Sequence, residues 1–485
     1  MIDITKNIAE AKGLPPEDRE HVRELIDILA AHAQKNAQKR RYYEGHISLA
    51  SVNLGLALPH GLRDLEIGCS WGEKAVDVLA ARSMFDGYVG ATGQEPARMT
   101  QLVADNRLLA EYMKACRDEL KYGCTFATLS ADDAIGCRIR FHSPETASAV
   151  WDGAKGRVAY GLAVIAKASD KRRDDYDVPT MVNYYNDDAI WQIRRVDKTW
   201  EAERHPHEMG RPLIEPLVYN ATSAKPFGRS RLKEPIRRLI DGYVRTVANA
   251  TIGLEFSTSP QKYLLGVTDD QYDALVNDKF RAYVGSLIAA TPNPETGSNP
   301  QFGQLAQGTI QPHVDMMRIL ATQFSAATGL TVTDVGIVND ANPTSSDAIL
   351  AQSQTLILLA EQLNAGNANG LQQIARMALA IARNVTPDQL DENEQQIVAH
   401  FKNPAMPSVA STADAAIKIA SAREGFADTD VFLEMIGFDQ ADIRRIKGQE
   451  ARARGRSLFL EMTQPAQVTT EVNTNDNTAS GLAEV

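Results

Sequence analysis

The sequence predicts an α+β protein in which a block of strands is flanked by long helices. Three observations predict it. Apolar residues recur at three- and four-residue intervals in the segment Pro16 to Tyr43 and again after Gly228, the period of amphipathic helices. Between Thr125 and Tyr219 the chain instead breaks into short runs rich in β-branched and aromatic residues, bounded by Gly, Pro, Asp and Asn. No alternation of strand and helix is present, so a doubly wound parallel sheet is not expected.

The elements follow in order. "LPPEDREHVRELIDILAAHAQKNAQKRRYY" opens with prolines and acidic residues, which suit a helix N-terminus, and Val22, Leu25, Ile26, Ile28 and Leu29 form its apolar face. Further helices are expected over Ala75 to Met84 and Met99 to Tyr122. "CTFATLS", "CRIRFHS", "GRVAYGLAVIAKA", "PTMVNYYND" and "DAIWQIRRV" read as strands of a mainly antiparallel sheet. "SRLKEPIRRLIDGYVRTVANATIGLEF" places Ile236, Ile240, Tyr243, Val247 and Leu254 on one face of a long helix. A small mixed unit follows, with strands "KYLLGV" and "FGQLAQGTI", a helix between them, and a Pro/Gly/Asn-rich loop at Thr291 to Pro300. A helix from His313 to Thr328 stops at Gly329, a C-terminal glycine. The loop "VNDANPTSSD" then opens a helix from Ser345 to about Leu363. The run "NAGNANG", Asn364 to Gly370, is expected to break it, with helix resuming over Leu371 to Asn384. Thr412 to about Met462 reads as a helical end unit, and the polar tail beyond it as disordered.

With 485 residues the chain is long enough for roughly two to four domains. A hydrophobic fraction of 44% and a charged fraction of 23% describe an ordinary globular composition. The net charge of -11 argues against tight electrostatic binding along a nucleic-acid duplex. Four cysteines, Cys69, Cys116, Cys124 and Cys137, form no CxxC pair and have no zinc-finger histidines, which suggests reduced thiols. No signal-peptide core is evident at the N-terminus, and no apolar run approaches the ~18 residues of a membrane span.

Catalytic signatures were sought and do not hold. "LRDLEIGCSWGEKAVDVLAAR" suggests a methyltransferase turn, with Glu66, Gly68 and Gly72 as candidates for binding S-adenosylmethionine. Ser70 replaces the middle glycine, however, bulky Trp71 precedes Gly72, and "PHGLRDLE" is no buried parallel strand. The better reading is a loop entering a helix, with Trp71 packed as an anchor. No phosphate-binding GxxxxGK[ST] loop is present. "HPHEM", His205 to Met209, lacks metal-ligand spacing and reads as a polar turn. The pairs Asp132/Asp133, Asp187/Asp188 and Asp269/Asp270 read as caps of turns and helices, and the clusters "KNAQKRR" and "RRIKGQEARARGR" as solvated helix faces. No catalytic residue, metal or cofactor is expected.

Ordered landmarks along the chain carry a resemblance. "RRYYEGHISLA" with "NLGLALP", then "AVDVLAARSMFDGY", then "NATSAKPFGRSRLKEPIRRLIDGYVRT" and "SPQKYLLGV" come first. "LAQGTIQPHVDMMRILATQFSAATGLTVTDVG", "NPTSSDAILAQSQTLILLAEQ", "TADAAIKIA" and "DVFLEMIGFDQADIRRI" complete the series. In that order and spacing the chain resembles the portal proteins of long-tailed bacteriophages over nearly its whole length.

The resemblance implies a wing at 1–228, a first stem helix at 229–259 and a clip at 260–310. It implies a second stem helix at 311–330, a tunnel loop, tunnel helix and return into the wing at 331–400, a crown at 401–462 and a disordered tail at 463–485. It further implies a ring, expected to be a dodecamer, at one capsid vertex, through which double-stranded DNA is packaged and ejected. Expected partners are further copies of the chain, the terminase large subunit, a head-tail adaptor, the major capsid protein and transient DNA, with no membrane. Assembly is expected in the host cytoplasm. Val338, Asn339, Asp340, Ala341 and Asn342 would form the tunnel loop lining the channel. Ile236, Ile240, Tyr243 and Val247 would form the stem contact between subunits. The rival readings are the methyltransferase and another head-tail connector component.

Overall fold

The computed structural model describes residues 7–48, 66–91, 96–169, 177–197, 199–258, 262–265, 297, 299, 301–304, 309–336, 346–405, 409–438 and 440–463. The chain divides into two units, 1–405 and 406–485. In the first, a 3-10 turn at Asn7–Glu10 precedes helix α1 (Pro16–Glu44), strand β1 (His46–Ser48), β2 (Glu66–Gly68), α2 (Trp71–Ala80) and β3 (Phe85–Val89). Helices α3 (Ala97–Asp105) and α4 (Leu108–Tyr122) lead into the strand block. That block comprises β4 (Cys124–Asp132), β5 (Gly136–His142), β6 (Ala147–Asp152), β7 (Arg157–Lys167), β8 (Pro179–Tyr185), β9 (Ala189–Val196), β10 (Thr199–Pro206) and β11 (Ile214–Val218). Then come α5 (Glu234–Thr258), β12 (Lys262–Leu265), β13 (Gln301–Gln304), α6 (Gln311–Thr328), α7 (Ser346–Arg383), a one-turn helix Glu392–Gln395 and β14 (Val398–Phe401).

The architecture is α+β, and every strand pair among the described residues is antiparallel. Five strands form one sheet in the order β10-β9-β8-β7-β6, and three form another in the order β11-β4-β5. Period-two alternation gives the larger sheet two differently used faces. Val182, Tyr184, Trp191 and Ile193 point to one side and pack with Val22, Leu25 and Ile26 of α1 in a small core. The opposite side, through Tyr185, Ile190, Ala149 and Ala163, joins the main core with β4, β5, β11 and helices α2 to α7. Apolar residues therefore occur on both faces of the central strands β7 and β8, Leu162 and Ala163 and then Tyr184 and Tyr185 serving the two cores in turn.

The segment Met99 to Tyr122 is two helices rather than the single one expected. Asn106 ends α3, and Arg107 takes a left-handed backbone with φ 50°. The cause is tertiary: Asn106 Nδ2 donates to Cys137 O at 2.9 Å, and its Oδ1 accepts from Ile139 N at 2.9 Å. One side chain thus completes the hydrogen bonding of the β5 edge, a gain that offsets interrupting the helix. The helix expected over Ala75 to Met84 starts earlier, at Trp71, and gives way to β3. That strand pairs with β14 across more than 300 residues of chain, Val398 opposite Val89.

The expected break at Asn364 to Gly370 does not occur. Helix α7 runs unbroken through it for 38 residues. The small residues are there for close approach: a Cβ on Gly370 would lie 2.6 Å from Leu217 Cδ2 and 3.1 Å from Pro216 O of β11. Gly72 has the same kind of reason, since a Cβ there would run into the Tyr42 carbonyl of α1. The glycine once suggestive of a nucleotide turn is a helix-packing position.

In the second unit, helices α8 (Val409–Ala422), α9 (Asp430–Ile436) and α10 (Gln440–Thr463) follow one another. Thr429 caps α9 by accepting from Phe432 N at 3.3 Å, and Gly437 with φ 104° ends it. The clip loop Thr291 to Pro300 lies outside the described residues except for Gly297 and Asn299, and the tail from 464 onward lies outside them entirely.

The packing account of α7 separates two glycines. Gly370→Val should destabilise the fold by about 1–3 kcal/mol through overpacking against Leu217. Gly366→Ala, whose added carbon meets only Val218 O at 3.9 Å, should be neutral or stabilise by up to ~1 kcal/mol. Denaturant midpoints of the two variants measure this; equal effects would refute it.

Candidate assembly interface and channel elements

Helices α5 and α6 pack side by side and are rooted in the body by an aromatic stack. Trp71, at the first position of α2, lies between Tyr243 of α5 and Phe324 of α6, with ring centroids 4.3 and 4.8 Å apart. The expectation that Trp71 is a packing anchor holds. Beneath the stack, Arg231 is 6% exposed and donates to Ala75 O, Thr328 O and Tyr219 Oη. Asp241 of α5 accepts from Tyr42 Oη of α1 at 2.7 Å. The tyrosine's own ionisation is pushed well above its ordinary value by burial and by Asp241, so it stays a neutral donor.

The four residues expected at the subunit contact are placed differently from one another. Ile236 and Ile240 are 6% and 0% exposed and belong to the chain's own core, together with Val244 and Ala248. They hold α5 to its own body, so their apolar stripe is not free for a neighbour. Tyr243 and Val247 are half-buried. Exposed apolar residues remain on both helices, Leu254 on α5 and Met316 and Ile319 on α6. On α6, Leu320, Ala321 and Phe324 turn inward, while Met316 and Ile319 on an adjoining side are 45% and 52% exposed. Gln323, Ala326 and Ala327 continue that outer face at helical spacing. Sequence periodicity missed it because both sides of α6 carry apolar residues.

The expected channel residues Val338 to Asn342 lie outside the described residues. What is described is the exit toward them. Gly329, with φ 70°, ends α6 and donates to Ser325 O, and Asp334 Oδ2 accepts from Thr331 N and its hydroxyl in a closed turn.

Helix α7 carries a buried polar group that the sequence reading missed. Asn367, fully buried, donates to Tyr112 Oη at 3.0 Å and to Glu119 Oε2 at 2.8 Å, both on α4. Tyr112 also bonds Ser83 at 2.7 Å. Glu119 is 0% exposed, and burial pushes its carboxyl up to about 8 although the Asn367 bond opposes the shift. It is therefore mainly a neutral acid at pH 7.

The remaining sequence candidates resolve into structural roles. Asp132 caps a hairpin turn, accepting from Ala134 N and Ile135 N at 3.0 and 3.3 Å. Lys39 and Arg40 of "KNAQKRR" are engaged by Tyr122 O and Glu145, whereas Arg444, Arg445, Lys447 and Arg452 of α10 are exposed. All four cysteines are free and buried. Among the described residues no group of three His, Cys, Asp or Glu could hold a metal ion, and no helix is long and apolar enough to cross a membrane.

The sequence profile of the family described as "Phage portal protein, SPP1 Gp6-like" matches residues 23–455. The chain belongs to that family, a class of viral portal and head-tail connector proteins. No curated protein matches the sequence. Two solved structures are similar to it at a TM-score of 0.43, each covering 81% of this chain and 93% of its own. They are the neck of an empty GTA particle computed with C6 symmetry, at 12% identity, and the neck of a native GTA particle computed with C12 symmetry, at 13%.

Glu119 makes the α4–α7 contact depend on pH. Its folded pKa lies above the ordinary value of 4.5, so the fold favours the acid form. That contribution is complete below about pH 4.5 and is lost as pH rises through about 8, amounting to a few kcal/mol. Glu119→Gln keeps the shape and the Asn367 bond without the proton. It should therefore gain stability over the wild type as pH goes from 5 to 9, measured as the difference in denaturant midpoint. A pH-independent difference would sink the assignment.

Proposed function

We propose that the protein forms a closed ring, a dodecamer, at one capsid vertex, and that the ring is the channel for packaging and ejecting double-stranded DNA. Its membership of the portal family over residues 23–455 carries the reading. The ring docks the terminase large subunit during packaging and the head-tail adaptor afterwards, and sits within the major capsid protein shell. The wall is passive: no phosphate-binding loop is present in the sequence, and a net charge of -11 suits a surface that does not hold DNA. A ring needs two unlike complementary faces on each subunit. The outer face of α6 with Met316 and Ile319, joined by half-buried Tyr243 and Val247 of α5, supplies one such seam in this reading. The tunnel loop Val338 to Asn342 lines the channel.

Two measurements test this. Met316→Asp with Ile319→Asp should leave a folded, cooperatively melting chain that no longer forms rings in negative-stain images, since carboxylates at a packed seam cost several kcal/mol. Ile240→Asp should instead lose the fold itself. Rings from the α6 variant would remove that face from the seam, and a wild-type protein without rings would remove the ring.

For the channel, Asn339→Lys with Asp340→Lys should form normal rings that retain DNA at low salt and release it as salt is raised. Packaging and ejection indistinguishable from wild type at every salt concentration would take this loop off the channel wall.

A further inference from the structure

We propose that the wedge between the two sheets of the strand block is a binding cleft for an extended, acidic polypeptide segment of another protein. This goes beyond the ring and channel reading and does not rest on it. The wedge is closed on one side, where Gly161 of β7 meets β11 so tightly that a Cβ would lie 2.9 Å from Ile214. Toward β9 and β10 the sheets part and leave a cavity of about 1060 Å³, reaching the chain end of α7.

Facing sheets ordinarily interdigitate apolar side chains. Here the walls mix apolar side chains, Met181, Ile190 and Leu213 among them, with polar ones. Arg138 and Arg140 of β5 stand opposite Asn183 of β8 and Gln192 and Arg194 of β9. The other face of β8 and β9 is mainly apolar and packs on α1 through Val182, Tyr184, Trp191 and Ile193.

The charges select an anion. Asp132 holds Arg138 at 2.8 and 3.0 Å, and Asp188 holds Arg204 at 2.7 Å. Arg140 has no carboxylate partner among the described residues, and Arg194 bonds only Gln192. Both arginines are exposed at the cleft, where Arg138, Arg140, Arg194 and Arg204 outnumber the carboxylates Asp132, Asp188 and Glu208. The Arg138–Asp132 pair shows that these walls already accept a carboxylate through two bonds.

The neutral groups select a polypeptide. Asn183 is only 8% exposed, and its Oδ1 has no hydrogen-bond partner. Both ring nitrogens of His207, on the same cleft, are buried without one. Buried polar atoms are nearly always paired, so a ligand offering donors and acceptors is called for. An extended acidic segment brings carboxylates for Arg140 and Arg194, N–H groups for Asn183 and carbonyls for His207.

The test uses the full-length protein and a fluorescein-labelled peptide of about ten residues, ~33 Å when extended, alternating Glu and Thr. Controls are a Lys-for-Glu twin and unlabelled tripolyphosphate as competitor. The acidic peptide should bind by anisotropy and weaken as salt rises. Arg140→Glu with Arg194→Glu should cost at least about tenfold in Kd, and Asn183→Ala a smaller loss with unchanged salt dependence. Should the double reversal fail to fold, Arg140→Gln with Arg194→Gln replaces it. The proposal is overturned if the lysine twin binds as tightly, if the arginine variants bind like wild type, or if equimolar tripolyphosphate displaces the peptide.

Discussion

A single buried guanidinium sets the geometry on which helices α5 and α6 depend. Arg231 is nearly sealed from solvent, and it donates to carbonyl and hydroxyl oxygens. One of those carbonyls, Thr328 O, is at the C-terminal end of α6, where unpaired carbonyls carry partial negative charge. Arg231 itself stands three residues before α5 begins. The same side chain therefore fixes where α5 leaves the body and where α6 returns to it, and Ala75 O ties both to α2. The aromatic stack of Trp71, Tyr243 and Phe324 is built around that point. Apolar burial supplies most of the stabilisation there, while the hydrogen bonds decide which arrangement is stabilised.

The long helix α7 follows the same division of labour. Its C-terminal half is fully apolar where it crosses the main core, through Leu371, Ile374, Ala375 and Ala378. Apolar contact alone would leave its axial position loosely determined. Gly370 lets the helix come down onto β11, and Asn367 can reach Tyr112 and Glu119 only in one register. A run of Asn and Gly with poor helix propensity is thus tolerated because tertiary packing outweighs losses of under ~1 kcal/mol per residue.

What could be read from the sequence follows from how local the causes are. Helices α1, α5 and α6, five of the eight strands from β4 to β11 (β4, β5, β7, β8 and β9) and the stop at Gly329 rest on periodicity and local backbone chemistry, and they were legible. The split between α3 and α4 was not, because Asn106 acts on Cys137 and Ile139 some thirty residues away. Neither was the β3–β14 pair, whose strands are short and distant in sequence. The "NAGNANG" run misled because propensity suggested a break that packing forbids. Of the candidate site, periodicity told only that Ile236 and Ile240 face something apolar, not whether that is the same chain or the next.

That ambiguity has a physical origin in α6. An ordinary amphipathic helix has one apolar stripe, and its partner can be inferred by elimination. Here Leu320, Ala321 and Phe324 serve the chain's own core, while Met316, Ile319, Ala326 and Ala327 face away from it. A helix with apolar residues on two sides shows little periodic contrast, so the signal weakens where the proposed assembly surface lies. The solvent-facing side of α5 instead carries Glu234, Arg238 and Arg245, with Leu254 exposed toward its end. An apolar face and a charged face on adjacent helices are not complementary to each other, so a head-to-tail contact of the kind proposed needs the partner surface for the α6 face elsewhere on the subunit.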